Sequence, residues 1–369
     1  MTTSTDASTA EAFRVVPNPN PASDERRAEV LADLKFGVNF TDNMARISWT
    51  ADQGWTDRRV EAYGPLPLDP AASVLHYAGE IFEGLKAYRW ADGTIRTFRP
   101  EENAKRFQRS ARRMALPELP VEDFMAAIRA YVKADGDWTP TAPDSSLYLR
   151  PFLIATDVFL GLRQPKEAEF LVIGSPSGPY FAGGVKPVSI WVEQDYHRAG
   201  PGGTGAAKCG GNYAASLLPQ MDAYARGYDQ VLYMDAKDGK VLEELGGMNV
   251  FVVLKDGTVV TPVLTGNILE GVTRSSIIQL LSDDDLKVIE RPITIDELRE
   301  GVASGEVAEV FACGTAAVVT PVGKMGSKDF EQQVGDGQPG PVTMKVRQTL
   351  TDIQYGRAED TYGWMEILA

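Results

Sequence analysis

The sequence predicts an α+β protein of two domains, and three observations carry that expectation. At 369 residues the chain is long for a single core, and ordinary domain sizes favour two. Short runs of alternating apolar residues flank Asp-Gly turns, as in "YRWADGTIRTF", which is the mark of antiparallel hairpins. Between such runs lie longer stretches whose apolar residues recur at helical spacing, as in "VEDFMAAIRAYV". Each domain is therefore expected to hold a mixed or antiparallel sheet or barrel with flanking helices.

Residues 1–34 are polar, with much Ala, Ser, Thr and Pro and no periodicity, which predicts a loose N-terminal arm. A first, small domain spans 35–178. It opens on the alternating "FGVNFTDNMARISWT" and turns a hairpin at Asp92 and Gly93. Pro100 suits the first turn of the helix "PEENAKRFQRSARRMAL". The next helix sets Val121, Phe124, Met125, Ile128, Tyr131 and Val132 on one face, an amphipathic face for a sheet. "LYLRPFLIATD" and "EFLVIGSP" read as strands, and the glycines and prolines of "SGPYFAGGVKP" mark an interdomain loop, placed at 179–188. The large second domain, 189–369, alternates strands such as "VSIWVE", "VFVVL" and "AAVVTPV" with helices such as "NYAASLLPQMDAYARG", "VTRSSIIQLLSD" and "MKVRQTLTDIQYG". Further hairpins are expected at Asp238-Gly239 and Asp256-Gly257.

Composition narrows the function. With 37 basic against 51 acidic residues the net charge is −14, which repels a phosphate backbone or an anionic membrane, so neither nucleic acid nor membrane is an expected partner. No apolar run approaches the roughly 20 residues of a membrane span. Two cysteines and two histidines give no disulfide framework and no metal site, and the N-terminus lacks a secretory pattern, so a cytoplasmic protein is expected. Acid–base chemistry falls to other residue types.

The stretch "GGTGAAKCGGNY" clears space around one lysine, Lys208, with five glycines. A mobile loop is the plainer reading of such a cluster. A lysine that captures a carbonyl cofactor such as pyridoxal phosphate needs the same clearing, since it must attack unprotonated and sit beside a flat ring. That cofactor asks for four more things: a carboxylate at its ring nitrogen, a donor at its phenolic oxygen, a phosphate cradle, and room. Tyr213, near the start of the following helix, is a candidate for the phenolic oxygen. Glu244 in "VLEELGGMNVF" precedes two close glycines, and a buried carboxylate there would need a positive partner, with Glu243 facing the other way. For phosphate, "GNILEGVTRSS" leaves the amides of Val272 and Thr273 at a helix start, "FACGTAAVV" adds Thr315, and Arg106 could add a bidentate charge.

In order along the chain, "FGVNFTDNM", "LHYAGEIFEGLKAYR", "RPEENAKRF", "LYLRPFLIATD", "GGTGAAKCGGNYA", "EELGGMNVF", "LEGVTRSS" and "EVFACGTAA" resemble the branched-chain amino acid aminotransferases of pyridoxal phosphate fold type IV. The similarity runs from about Phe36 to the C-terminus. It implies the two-domain fold of the D-amino acid aminotransferase type. It also implies a ping-pong transfer of the amino group between leucine, isoleucine or valine and 2-oxoglutarate, giving branched keto acids and glutamate. By the resemblance Lys208 is the Schiff-base lysine and proton shuttle, Glu244 holds the ring nitrogen and Tyr213 the phenolic oxygen, while Arg106, Val272, Thr273 and Thr315 bind phosphate. It implies a substrate pocket of Phe36, Tyr77, Phe82, Tyr148 and Tyr180, with Arg150 for a carboxylate, and a homodimer in which Leu160 and Leu162 line the neighbouring subunit's pocket. Where animal members carry a threonine this chain has Gly247, which leaves the amide of Ala316 to hold part of the substrate carboxylate. Their CxxC is replaced by Ala317 and Thr320. A D-amino acid transaminase or aminodeoxychorismate lyase shares the lysine and glutamate but not the dense aromatic pocket. A non-catalytic phosphate-binding module would leave the lysine unmodified.

Overall fold

Alternating strands and Asp-Gly turns build two sheets in the computed structural model, which describes residues 12–179 and 184–369. The chain divides into two units: one runs to Gly178 and takes back Glu366–Ala369, and the other covers Pro179–Met365.

The first unit contains strands β1 (Arg14–Val15), β2 (Asn43–Thr50), β3 (Gly54–Ala62), β4 (Glu80–Phe82), β5 (Leu85–Arg89), β6 (Ile95–Phe98), β7 (Ser146–Ala155) and β8 (Glu167–Ser177). Met365–Ile367 adds an edge strand beside β6, giving the order β1-β3-β2-β8-β7-β5-β6 and then this last strand, with β4 paired to β7. Pairing among β1 to β8 is antiparallel except between β1 and β3. Gly93 turns the β5–β6 hairpin at φ +86°, a conformation a side chain rarely adopts. Within the stretch expected as a loose arm, Arg14–Val15 pair with β3, and α1 (Asp24–Ala32) starts where Ser23 accepts the amide of Arg26 above two first-turn acids. A short helix α2 (Val74–Tyr77) precedes β4, and α3 (Pro100–Arg113) and α4 (Val121–Asp135) follow β6. The face of α4 read from its spacing is buried at Phe124, Met125, Ile128, Tyr131 and Val132. Phe107 of α3, Phe124 and Phe170 of β8 meet with ring centroids 5.4–5.8 Å apart, which ties both helices to the sheet.

The second unit contains β9 (Val188–Val192), β10 (Gln230–Met234), β11 (Leu242–Leu245), β12 (Asn249–Leu254), β13 (Val259–Thr261), β14 (Val288–Glu290), β15 (Val307–Gly314), β16 (Val318–Gly326) and β17 (Glu331–Gln333). Their order is β11-β10-β9-β16-β15-β12-β13-β14, with β17 on β16, and the sheet is mixed because β9 runs parallel to both neighbours. Four helices flank it: α5 (Gly210–Ala225), α6 (Val272–Asp283), α7 (Ile295–Ser304) and α8 (Pro341–Gln354). Its core is aliphatic, centred on Ile190, Leu232, Leu245, Val250, Val310 and Met325. The architecture is thus α+β, two sheet-centred units with flanking helices. Among the described residues no helix is long and apolar enough to cross a membrane.

Candidate active site

In the second unit the loop before α5 is pinned by backbone contacts that require glycine and small residues. A Cβ on Gly205 would lie 2.1 Å from the carbonyl oxygen of Asn267, so only glycine fits there. Ala206 donates to Gly266 O at 3.1 Å. Asn212, buried in the first turn of α5, donates to Thr204 O and Ala207 O at 2.8 and 2.9 Å and accepts from Thr204 Oγ1 at 2.7 Å. This staple holds both ends of the loop that carries Lys208. Lys208 Nζ then donates to Tyr213 OH at 2.7 Å, one helical turn into α5.

Glu244, on β11, is buried. Its Oε1 forms an ion pair with Arg198 Nη1 at 2.9 Å and accepts from Leu269 N at 2.7 Å. Oε2 has only a long contact, 3.4 Å, from Asn249 Nδ2. Burial pushes this carboxyl up to about 7, against the pull of Arg198, the Leu269 amide and Lys208. Arg198 is itself buried and spends its other bonds on Gly205 O and Asn267 O, at 3.0–3.3 Å. It thereby connects the carboxylate to the lysine loop. Glu243 is buried too rather than solvated, and accepts from Asn267 Nδ2 at 2.8 Å.

The start of α6 lies beside this group. Gly271 caps it without a side-chain hydrogen bond, and Val272 and Thr273 are buried in its first turn. A Cβ on Gly271 would lie 2.1 Å from Asn249 Oδ1, the same asparagine that reaches Glu244. The turn 315–317 between β15 and β16 adjoins the other glycine pair, since a Cβ on Gly314 would lie 3.3 Å from Gly247 O. At Gly247 itself the nearest such atom to an added Cβ is Tyr213 Cε1, 3.9 Å away, so a β-carbon there would meet no closer neighbour. Lys208, Tyr213, Glu244, the α6 start and the Thr315–Ala316 turn are thus gathered by one set of adjacent loops.

The first unit gathers a second set. Tyr148 meets Phe36 edge to face at 4.9 Å, and Arg150 Nη2 donates to Tyr148 OH at 3.1 Å while its guanidinium lies 4.7 Å from the ring of Phe82. Tyr77 OH donates to Leu160 O, and Leu160 and Leu162 are exposed. Arg106 is buried on α3, where Nε and Nη2 donate to the two oxygens of Glu83 at 2.7 and 2.8 Å. Tyr180 lies outside the described residues. No group of three or more His, Cys, Asp or Glu side chains suited to a metal occurs among the described residues.

A buried carboxylate with one under-used oxygen, a lysine and phenol 2.7 Å apart, and a helix start lacking a side-chain cap form a donor set that fits a flat, cationic, phosphorylated carbonyl compound. The family model described as Amino-transferase class IV matches residues 80–325. The chain is a class IV aminotransferase. A branched-chain-amino-acid aminotransferase of Mycolicibacterium smegmatis is 54% identical over 357 residues, 96% of this chain and 97% of that protein. One of Mycobacterium tuberculosis is 52% identical over the same shares. Among solved structures, the branched-chain amino acid aminotransferase of Escherichia coli has a TM-score of 0.72 at 29% identity, over 88% of this chain and all of that one. A branched-chain amino acid aminotransferase solved with pyridoxamine 5'-phosphate likewise has a TM-score of 0.72 at 29% identity, over 88% of this chain and 99% of that one. For an aminotransferase of this class, Arg198, Asn212, Asn249 and Asn267 are the polar partners that sequence reading missed. Only one signal pointed to them: a glutamate aimed among glycines needs a cation, and the chain supplies one of its own.

Proposed function

We propose that this class IV aminotransferase moves the amino group between branched-chain L-amino acids, leucine, isoleucine and valine, and 2-oxoglutarate, with pyridoxal 5'-phosphate as cofactor. Bound pyridoxal phosphate supplies a carbonyl for covalent capture of amines and a ring that withdraws electrons from the substrate α-carbon. The protein's share is to hold, orient and move protons. Lys208 Nζ anchors the cofactor and carries the proton to and from the α-carbon, with Tyr213 OH, 2.7 Å away, keeping it in place. Glu244 Oε2 holds the proton on the ring nitrogen, since Oε1 is committed to Arg198 and Leu269. The amides of Val272 and Thr273, the Thr315 hydroxyl and Arg106 are assigned to the phosphate.

Arg150 beside Tyr148, together with the Ala316 amide, is assigned to the substrate carboxylate. Phe36, Tyr77, Phe82, Tyr148 and Tyr180 are assigned to the aliphatic side chain, which aromatic faces accept and charged side chains do not. The enzyme is read as a cytoplasmic homodimer. In support, α5 exposes Leu217, Leu218, Met221 and Tyr224 along one stretch, an apolar surface of the kind a second copy covers. Leu160 and Leu162, also exposed, are assigned to the partner subunit's pocket.

The observation that carries the catalytic reading is the pairing of Lys208 and Tyr213 next to a buried carboxylate with one oxygen to spare. The purified enzyme is expected to be yellow, to lose that colour on borohydride treatment with the cofactor fixed on Lys208, and to consume branched keto acids with glutamate as donor. Lys208→Ala is expected to abolish turnover while keeping weak cofactor binding. Turnover persisting in that variant would remove Lys208 from the role.

A further inference from the structure

A short turn in the second unit combines a strained residue with a clamp. Thr315, Ala316 and Ala317 form a three-residue turn closed by the strand pair Gly314 and Val318. Turns of this length commonly place the following residue in the left-handed region, which glycine fills without strain. Here that residue is the buried Val318, at φ +61°. A β-branched side chain is a poor occupant of that conformation, because both γ-carbons crowd neighbouring backbone.

The carbonyls on either side of Val318 are taken by one guanidinium. Arg347 Nη1, from α8, donates to Ala317 O at 3.1 Å and to Val319 O at 2.9 Å. Its support is independently fixed: Glu309 on β15 accepts from the amides of Val342 and Thr343 at 2.9 and 2.8 Å and from Thr343 Oγ1 at 2.6 Å, which ties the start of α8 to the sheet. A glycine at 318 would hold the turn without help. A valine there tends to leave the left-handed region once the two carbonyls are released, and the turn would shift with it.

We propose that Arg347 is a positioning residue, whose bonds to Ala317 O and Val319 O lock the Thr315–Ala317 turn in the conformation that offers the Thr315 hydroxyl to phosphate and the Ala316 amide to the substrate carboxylate. This rests on the assignment of that turn to those two ligands. Arg347 is proposed to act through the carbonyls that straddle Val318.

The test compares the dissociation constants of the full-chain enzyme for pyridoxal phosphate and for pyridoxal, which lacks the phosphate. Arg347→Ala is expected to weaken pyridoxal phosphate about tenfold and pyridoxal less than about twofold, because only the phosphate contact is displaced. General loosening of the fold would weaken both alike, and that result overturns the proposal. Adding Val318→Gly to Arg347→Ala removes the need for the clamp and is expected to bring pyridoxal phosphate binding back to within about threefold of the parent. No recovery overturns the proposal as well. Thr315→Ala checks the underlying assignment separately. If it loses the phosphate-dependent part of the affinity while Arg347→Ala keeps it, the turn binds phosphate but Arg347 does not position it. If Thr315→Ala keeps that part, the assignment of the turn fails and the proposal with it. Should Arg347→Ala not be recovered folded, Arg347→Lys, whose ammonium spans the two carbonyls less well, is read by the same comparison.

Discussion

Each unit buries a glutamate against an arginine, and the two pairs are built in opposite senses. In the first unit Glu83 meets Arg106 with both oxygens, at 2.7 and 2.8 Å, and Oε2 also accepts from Asn103 Nδ2 at 2.8 Å. The carboxylate is saturated, so it serves the arginine by fixing the plane of the guanidinium. In the second unit Glu244 meets Arg198 through Oε1 alone, and among the described residues Oε2 accepts only from Asn249 Nδ2, at 3.4 Å. There the arginine serves the carboxylate: Arg198 turns Nη1 and Nη2 to backbone carbonyls and pulls against the burial that raises Glu244. The two pairs therefore differ at the carboxylate: Glu83 has both oxygens engaged by Arg106, whereas Glu244 meets Arg198 through one.

The strongest test of that asymmetry is Glu244→Gln. An amide keeps the shape and can still accept from Leu269 N, but it cannot hold a proton on a ring nitrogen. The rate constant for amino transfer is expected to fall about a thousandfold, with cofactor still bound. An unchanged rate in fully loaded enzyme would show that Glu244, like Glu83, only serves its arginine.

Arg198→Met comes next, and its effect depends on pH. Because burial has raised Glu244 to about 7, its contribution to the stability of the cofactor-free protein is fully present below the ordinary carboxylate range near 4.5 and is lost as pH rises through about 7. Removing Arg198 raises the carboxyl further, so the melting temperature should change little at pH 5 and drop at pH 8, by the equivalent of roughly 3 kcal/mol. Thermal melts across that range check it. The double variant Arg198→Met with Glu244→Gln should lose the pH dependence, since no charge is left to bury; a deficit equal at both pH values would mean that Arg198 acts by packing alone.

The pairs also mark how far the sequence could be read. Lys208, Tyr213 and Glu244 stood out because their signals are local: glycines around a lysine, an aromatic one turn later, a carboxylate ahead of two glycines. The bounds of α6, Val272–Asp283, follow from a glycine start and one uninterrupted period. By contrast α8 begins at Pro341, ahead of the stretch whose periodicity predicted it, because its cap is Glu309 from a distant strand rather than a neighbouring side chain. Arg198 and Glu83 were missed for the same reason. Each looks like an ordinary charged residue until the fold brings its partner, and no spacing rule reports a partner chosen by tertiary structure.

Glu83→Gln probes the first-unit pair and should be milder than Glu244→Gln. Arg106 would stay charged but lose the bidentate acceptor that orients it, so pyridoxal phosphate affinity is expected to fall about tenfold while kcat at saturating cofactor stays within about twofold. Titration of the variant with cofactor, followed by saturated kinetics, separates the two quantities. A large loss of kcat would place Glu83 in the chemistry and reverse the assigned sense of the pair.

The smallest effect is expected at Arg150, a cation with no carboxylate paired to it among the described residues. Its Nη2 donates to Tyr148 OH at 3.1 Å and its guanidinium lies 4.7 Å from the ring of Phe82, so neutral groups orient it and its charge stays uncompensated by them. That is the arrangement suited to receiving a substrate carboxylate, for which a resident glutamate would compete. Tyr148→Phe removes one acceptor but keeps the ring contact with Phe36, and Phe82 still holds the guanidinium from the side. The KM for amino and keto acids should rise about threefold with kcat nearly unchanged, since a neutral hydrogen bond that orients a charge contributes little more than that. If kcat falls and KM does not, the phenol acts in the chemical step instead, and Arg150 is positioned by Phe82 without it.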